Sequence, residues 1–186
     1  MNKYTDGKAP MTFANAHVAW LACLGCLLHR VRCEGLMSIE WMIEEPHQEG
    51  SLLYSFPQVL DEPYLCFTTD LLRMMIGGSL DAEDMQIYAK HAVVSLTTID
   101  YPTSGSKVDS SLLETIWLTL WASMKGYVPQ VAVEFGRQAV PVMSKPTHGE
   151  LEGIFREVRD TWRESQMDER NMESRIESFV ESLGGR

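Results

Sequence analysis

The sequence predicts an all-α fold, one compact helical domain ending in an amphipathic C-terminal helix. Three observations carry this. Apolar residues recur at three- and four-residue spacing through most of the chain, no segment alternates apolar and polar at period two, and glycine or proline interrupts the periodic stretches where helices would end. At 186 residues and 45% hydrophobic content the chain is long enough to bury one core. No internal repeat or low-complexity tract points to another architecture.

Residues 12–34 form the first predicted helix, mostly apolar and closed by Gly35, because glycine tolerates the left-handed backbone that often follows a helix. A short helix comes next, with Ser38 at its cap or in its first turn. It stops at Glu44-Glu45-Pro46, since proline disfavours helical geometry in the residue before it. From His47 to Pro63, prolines at 46, 57 and 63 make a connector that Leu52, Leu53, Tyr54 and Phe56 anchor on the core. Tyr64 to Ile76 is helical, Gly77-Gly78 breaks it, and a helix restarting at Ser79 or Asp81 runs to about Ile99.

The stretch from Asp100 to Ser111 is polar, rich in turn formers and aperiodic, which predicts a hinge or linker. Beyond it, Leu112, Leu113, Ile116, Trp117, Leu120, Trp121 and Met124 recur at offsets 0, 1, 4, 5, 8, 9 and 12. So wide a stripe must face a core or a partner. Gly126 and Pro129 end that helix, Val131 to Gln138 forms a short one, and Pro141 to Thr147 is a second breaker region. Leu151, Ile154, Phe155, Val158 and Trp162 then form a one-sided stripe. Met172, Ile176, Phe179, Val180 and Leu183 form another on a charged background, which marks residues 161–186 as a mostly solvated amphipathic helix.

The 26 acidic and 16 basic residues give a formal charge of -10, which repels phosphate backbones and anionic headgroups. Nucleic acid is not an expected partner. Of the four cysteines, Cys23, Cys26 and Cys33 fall in one apolar helical pattern, so the thiols are read as reduced and the protein as cytoplasmic. The apolar run from Met11 to Leu28 is interrupted by Asn15 and His17 and is not a membrane span. Nor does it fit a secretion signal, having Asp6 near its start and His29-Arg30 where a small-residue cleavage site would be.

Cys26, His29 and Cys33 share a helix face, but zinc sites usually draw ligand pairs from separate elements, and buried cysteines are ordinary core residues. His17, His47, His91 and His148 have no acidic partner at triad or metal spacing and are expected at the surface or at helix ends. No phosphate-binding glycine loop or nucleophile elbow occurs. No catalytic residue, metal or cofactor is therefore expected.

The run Gly126-Tyr-Val-Pro-Gln-Val-Ala-Val-Glu-Phe-Gly-Arg137 resembles the cytoplasmic tail of the MotA flagellar stator family, and the likeness continues through Lys145-Pro146 and Glu150-Leu-Glu152. Upstream, Gly35-Leu-Met-Ser-Ile-Glu40, Ile43-Glu-Glu-Pro46, Tyr54-Ser-Phe-Pro57 and Asp70-Leu-Leu-Arg-Met-Met-Ile-Gly-Gly78 look like the family's large cytoplasmic loop, in the same order. The resemblance spans about residues 16–160. It implies one domain over 1–160, with a loop-like part 16–99, a linker 100–111 and a tail-like part 112–160. That linker stands where the family's third and fourth membrane helices would be, and the acidic run that ends the family's loop is replaced by Lys90-His-Ala-Val-Val94.

What the resemblance implies is a helical domain that presents charges to the rotor protein FliG, at the inner face of the membrane, with no ion path of its own. The family's functional arginine falls on Arg32 and its functional glutamate on Glu40, with Arg30, Glu44 and Glu45 as neighbours. Arg32 near a helix C-terminus and Glu40 near a helix N-terminus would also each favour the helix dipole by about 0.3–1 kcal/mol. Partners are thus expected among flagellar rotor or stator components, with self-association open from the family's ring arrangement. An alternative is a stator-like scaffold adapted to another envelope or secretion machine, holding a helical partner on the Trp117/Trp121 stripe.

Overall fold

A computed structural model describes residues 11, 13, 15–78, 80–98 and 107–161. Among them there is helix and turn but no strand, as the periodicity predicts. Helix α1 (Ala16–Glu34) is buried without a break from His17 to Leu28. A helix apolar on every side belongs either in a membrane or inside a core of other helices. Here it is sheathed by its neighbours, and no described helix is long and apolar enough to cross a membrane. The helix starts at Ala16, where Asn15 caps it: Asn15 Oδ1 accepts from the Val18 amide at 2.9 Å.

A 3-10 turn (Leu36–Ile39) leads into α2 (Glu40–Glu44), so Ser38 sits inside the turn, its hydroxyl donating to the Gly35 carbonyl at 2.6 Å, and is not the cap. The connector behaves as predicted at Leu52, Leu53 and Phe56, which are fully buried, but Tyr54 points out to solvent. Consecutive turns place residues 52, 53 and 56 on the inner side of the connector and leave 54 outside. Helix α3 (Glu62–Gly77) follows with Pro63 in its first turn, where a missing N–H costs nothing. Helix α4 (Ala82–Thr98) starts after Asp81, whose carboxylate accepts from the Asp84 amide.

Residues 100–106 of the expected linker lie outside the described residues. Its last part is not a free hinge: Val108 is buried and Asp109 caps α5 (Ser110–Met124). Helix α6 (Pro129–Ala139) begins at Pro129, which opens this helix in the N1 position where a sequence reading treats proline as a stop. Residues 148–161 form α7 as far as they are described, and Trp162 and the expected tail helix lie beyond them. Helix α7 opens with a reciprocal capping box: the Thr147 amide donates to Glu150 Oε2 at 2.7 Å and the Glu150 amide to Thr147 Oγ1 at 3.2 Å.

Helices α5 and α6 form an antiparallel hairpin that packs on α1, and α3 and α4 also pack on α5. The wide α5 stripe is explained by this crowding, since one helix serves four neighbours. Burying each of Leu113, Ile116 and Leu120 contributes about 1.5–3 kcal/mol, an upper figure because unfolded chains already hide some surface. A smaller cluster of Leu21, Val133, Val140 and Leu151, with Phe155 against it, joins α1, α6 and α7.

Gly136 lets α6 lie this close: a Cβ there would fall on the Thr119 hydroxyl and 2.6 Å from the Thr115 carbonyl oxygen, with Leu21 of α1 at 3.1 Å. Backbone cannot step aside as a flexible side chain can. Gly136→Ala is therefore expected to destabilise the fold by about 1–3 kcal/mol. Gly153→Ala, in open space on α7, should leave stability unchanged or higher. Urea midpoints at constant slope check both.

Candidate functional site

At the C-terminal end of α1 the chain must turn sharply, and Gly35 does so at φ 89°, ψ 164°. This is not the left-handed helical region expected from the sequence but its extended mirror, which is open essentially to glycine alone. The turn sends the chain into residues 36–45 with a clear division of faces. Ile39, Met42 and Ile43 are fully buried beneath, while Met37, Glu40, Trp41, Glu44 and Glu45 are exposed at offsets 0, 3, 4, 7 and 8. These five occupy one helical stripe. Arg32, exposed in the last turn of α1, lies across the Gly35 bend from them.

The predicted charges do not all remain available. Arg30 is only 16% exposed at its side chain and pairs with Glu34 at 3.1 Å. Glu44 accepts from Arg73 of α3 at 2.9 Å, and Arg73 also donates to Asp70 at 3.2 Å. These pairs brace α1 and clamp α2 to α3. Arg32, Glu40 and Glu45 are exposed, and none of them has an ion pair or side-chain hydrogen bond among the described residues. The five residues thus divide into two that brace the fold and three whose charges face solvent.

The tryptophan stripe is a correction. Trp117 is 7% exposed inside the core, and Trp121 is half-buried, edge-on to Phe135 at 5.9 Å between ring centres, with the Lys125 ammonium over its ring. The hairpin with α6 covers the face that would have held a partner. Lys125 in turn pairs with Glu83 of α4.

Cys23 and Cys26 are buried, and burial pushes the Cys23 thiol well up and that of Cys26 to about 12. Cys33 is exposed, with its Sγ 3.8 Å from His29 Nε2. No group of three or more metal-binding side chains gathers among the described residues.

His17 lies at the start of α1, a helix end as expected, but it is buried and has an acidic neighbour that its sequence spacing did not reveal. Its Nε2 lies 3.0 Å from Ser111 Oγ and 3.8 Å from Asp109 Oδ2. Ser111 Oγ donates to Asp109 Oδ1 at 2.7 Å, so its lone pairs face the imidazole and the proton sits on Nε2. The Asp109 amide donates to the Tyr64 hydroxyl at 2.7 Å. The start of α5 is thereby tied to α1 and α3. Both acid and serine meet the same imidazole nitrogen, which is not the relay a nucleophilic serine needs.

A further brace lies within 126–137. Glu134 accepts from Arg137 at 2.9 and 3.0 Å and meets His148 of α7 at 2.8 Å, while Arg137 also donates to the Pro146 carbonyl. Burial alone would raise the Glu134 carboxyl, but the hydrogen bonds from Arg137 and His148, with the Arg137 charge, outweigh it and hold it below its ordinary range.

With this geometry in hand, comparison with known proteins gives a consistent result. The chain is 23% identical over 208 aligned residues to Motility protein A of Salmonella typhimurium, covering 75% of this chain and 70% of that protein. It is likewise 23% identical to Motility protein A of Escherichia coli over 217 residues, covering 80% and 73%. The likeness is distant but spans most of both chains. Because 75% of a 186-residue chain falls well short of 208 residues, part of the relative within the aligned span has no counterpart here. No family model and no solved structure matches the chain.

Sequence reasoning missed the His17 site, since Ser111 is 94 positions away and Asp109 almost as far. It also missed Met37 and Trp41, although their spacing with Glu40 and Glu44 was legible. Burial lowers the His17 pKa and the Asp109 carboxylate raises it, with burial the stronger. The unfolded chain therefore takes up a proton near the ordinary 6.5 that the folded chain refuses until lower pH. Stability from this site is complete above that value and is lost as pH falls below it. Urea midpoints from pH 8 to pH 5.5 should drop for the wild type and drop less for His17→Gln.

Proposed function

We propose that this chain is a motility-related binding protein that docks on rotor or stator components of the flagellar motor through the exposed end of α1 and α2. It acts with no chemical step and no ion conduction, at the inner face of the membrane where the motor sits. One observation carries the reading: Arg32 and Glu40, on which the stator family's functional charges fall, are exposed and uncommitted while their neighbours Arg30 and Glu44 are spent on bracing.

The similarity to Motility protein A over most of the chain supports a role in motility. That part of the relative has no counterpart here supports a protein that keeps the recognition surface and gives up other parts. Exposed charges chiefly steer encounter and select partners, so their retention fits recognition better than stability. Their dipole contribution explains why such charges are tolerated at helix ends, but not why both face solvent without a partner.

Binding kinetics of the full chain on purified FliG test this. The Arg32→Glu, Glu40→Lys double variant is expected to lose on the order of tenfold in affinity, mainly through a slower, less salt-sensitive association. Identical kinetics for wild type and variant would contradict the assignment.

A further inference from the structure

We infer that Met37 and Trp41 are the apolar anchors of this surface, and that the partner offers an apolar pocket rimmed by basic side chains. The inference rests on the binding role proposed above and adds the partner's chemistry. Met37 is 61% exposed and Trp41 40%, one turn apart on the same stripe as Glu40 and Glu45. Tryptophan and methionine are enriched at the energetic centres of protein interfaces, where apolar burial sets the lifetime of a complex that charges only steer. Nothing in the local packing calls for a tryptophan here, because the underside of the segment is already filled by Ile39, Met42 and Ile43.

The anchors are also held in place before binding. The buried underside and the Glu44–Arg73 pair fix the stripe against α3, so little ordering remains to oppose association. Around them, Arg30 is balanced by Glu34 and Glu44 by Arg73. What is left is Glu40 and Glu45 against Arg32, a net acidic rim. Complementarity then requires a mainly basic partner rim with one acidic group for Arg32. A second copy of this chain is a poor occupant, because a symmetric contact would set the same glutamates against each other. Nucleic acid and anionic lipid are opposed by the same charge and by the overall -10.

The test is binding kinetics of the full chain on purified FliG at low and high salt. Trp41→Ala is expected to speed dissociation on the order of 10–30-fold with near-normal association rate and salt dependence. Trp41→Phe should recover most of the loss, and Met37→Ala should show a smaller one. Glu40→Lys should act on association instead. Unchanged urea midpoints for these surface variants exclude misfolding as the cause.

Wild-type dissociation in Trp41→Ala alongside weakened Glu40→Lys would overturn the anchors and leave the charged interface standing. Absence of wild-type binding would overturn the rotor reading and the anchors with it. A wild-type dimer converted to monomer by Trp41→Ala would place a second copy on the stripe and overturn the basic partner.

Discussion

Everything in the bundle depends on how closely α6 can approach α5 and α1 at Gly136. The two threonines of α5 that meet it, Thr115 and Thr119, turn their hydroxyls back onto the carbonyls of Ser111 and Thr115, so the surface offered to α6 is smooth and its polar atoms are satisfied. With that contact made, α1 is covered along its most apolar stretch, and Val133, Val140 and Leu151 can close over Leu21. α1 needs no bilayer to be buried.

The charges divide by the same logic. Ion pairs between elements, Glu44–Arg73, Glu83–Lys125 and the Glu134–Arg137–His148 group, link helices that the core has already brought together. Pairs of this kind near the surface contribute little stability each, but they fix registers and angles. The segment 126–137 that most resembles the stator family serves the fold in this way: Pro129 opens the helix, Gly136 seats it, and Glu134 and Arg137 brace it. In the proposed function, recognition falls to the other resembling segment, where the Gly35 bend separates Arg32 from the outward stripe of α2.

Much of the architecture was legible in local pattern. Periodicity located the helices, Gly35 and Pro46 marked two ends correctly, and the all-α class followed from the absence of alternation. Local signals also carried more than was drawn from them, as with the Asn15 cap, Pro129 as a helix start and the Thr147-x-x-Glu150 box. What could not be read was long-range. His17 meets Ser111 and Asp109 only because α1 and α5 begin side by side. The α5 stripe had to face a core or a partner, and only the packing of α6 and its neighbours decides for the core. Likewise nothing local says that Arg30 and Glu44 are engaged while Arg32, Glu40 and Glu45 are not.

The end of the bundle that carries Arg32, Glu40 and Trp41 is not alone in exposing apolar groups; the turn at Val142 and Met143, beside the start of α1, exposes two more. Hydrogen exchange of the full chain with and without FliG separates the two ends most directly. Slowed exchange confined to peptides spanning residues 31–45 is the predicted result. Slowed exchange at 140–146 with residues 31–45 unchanged would contradict the account.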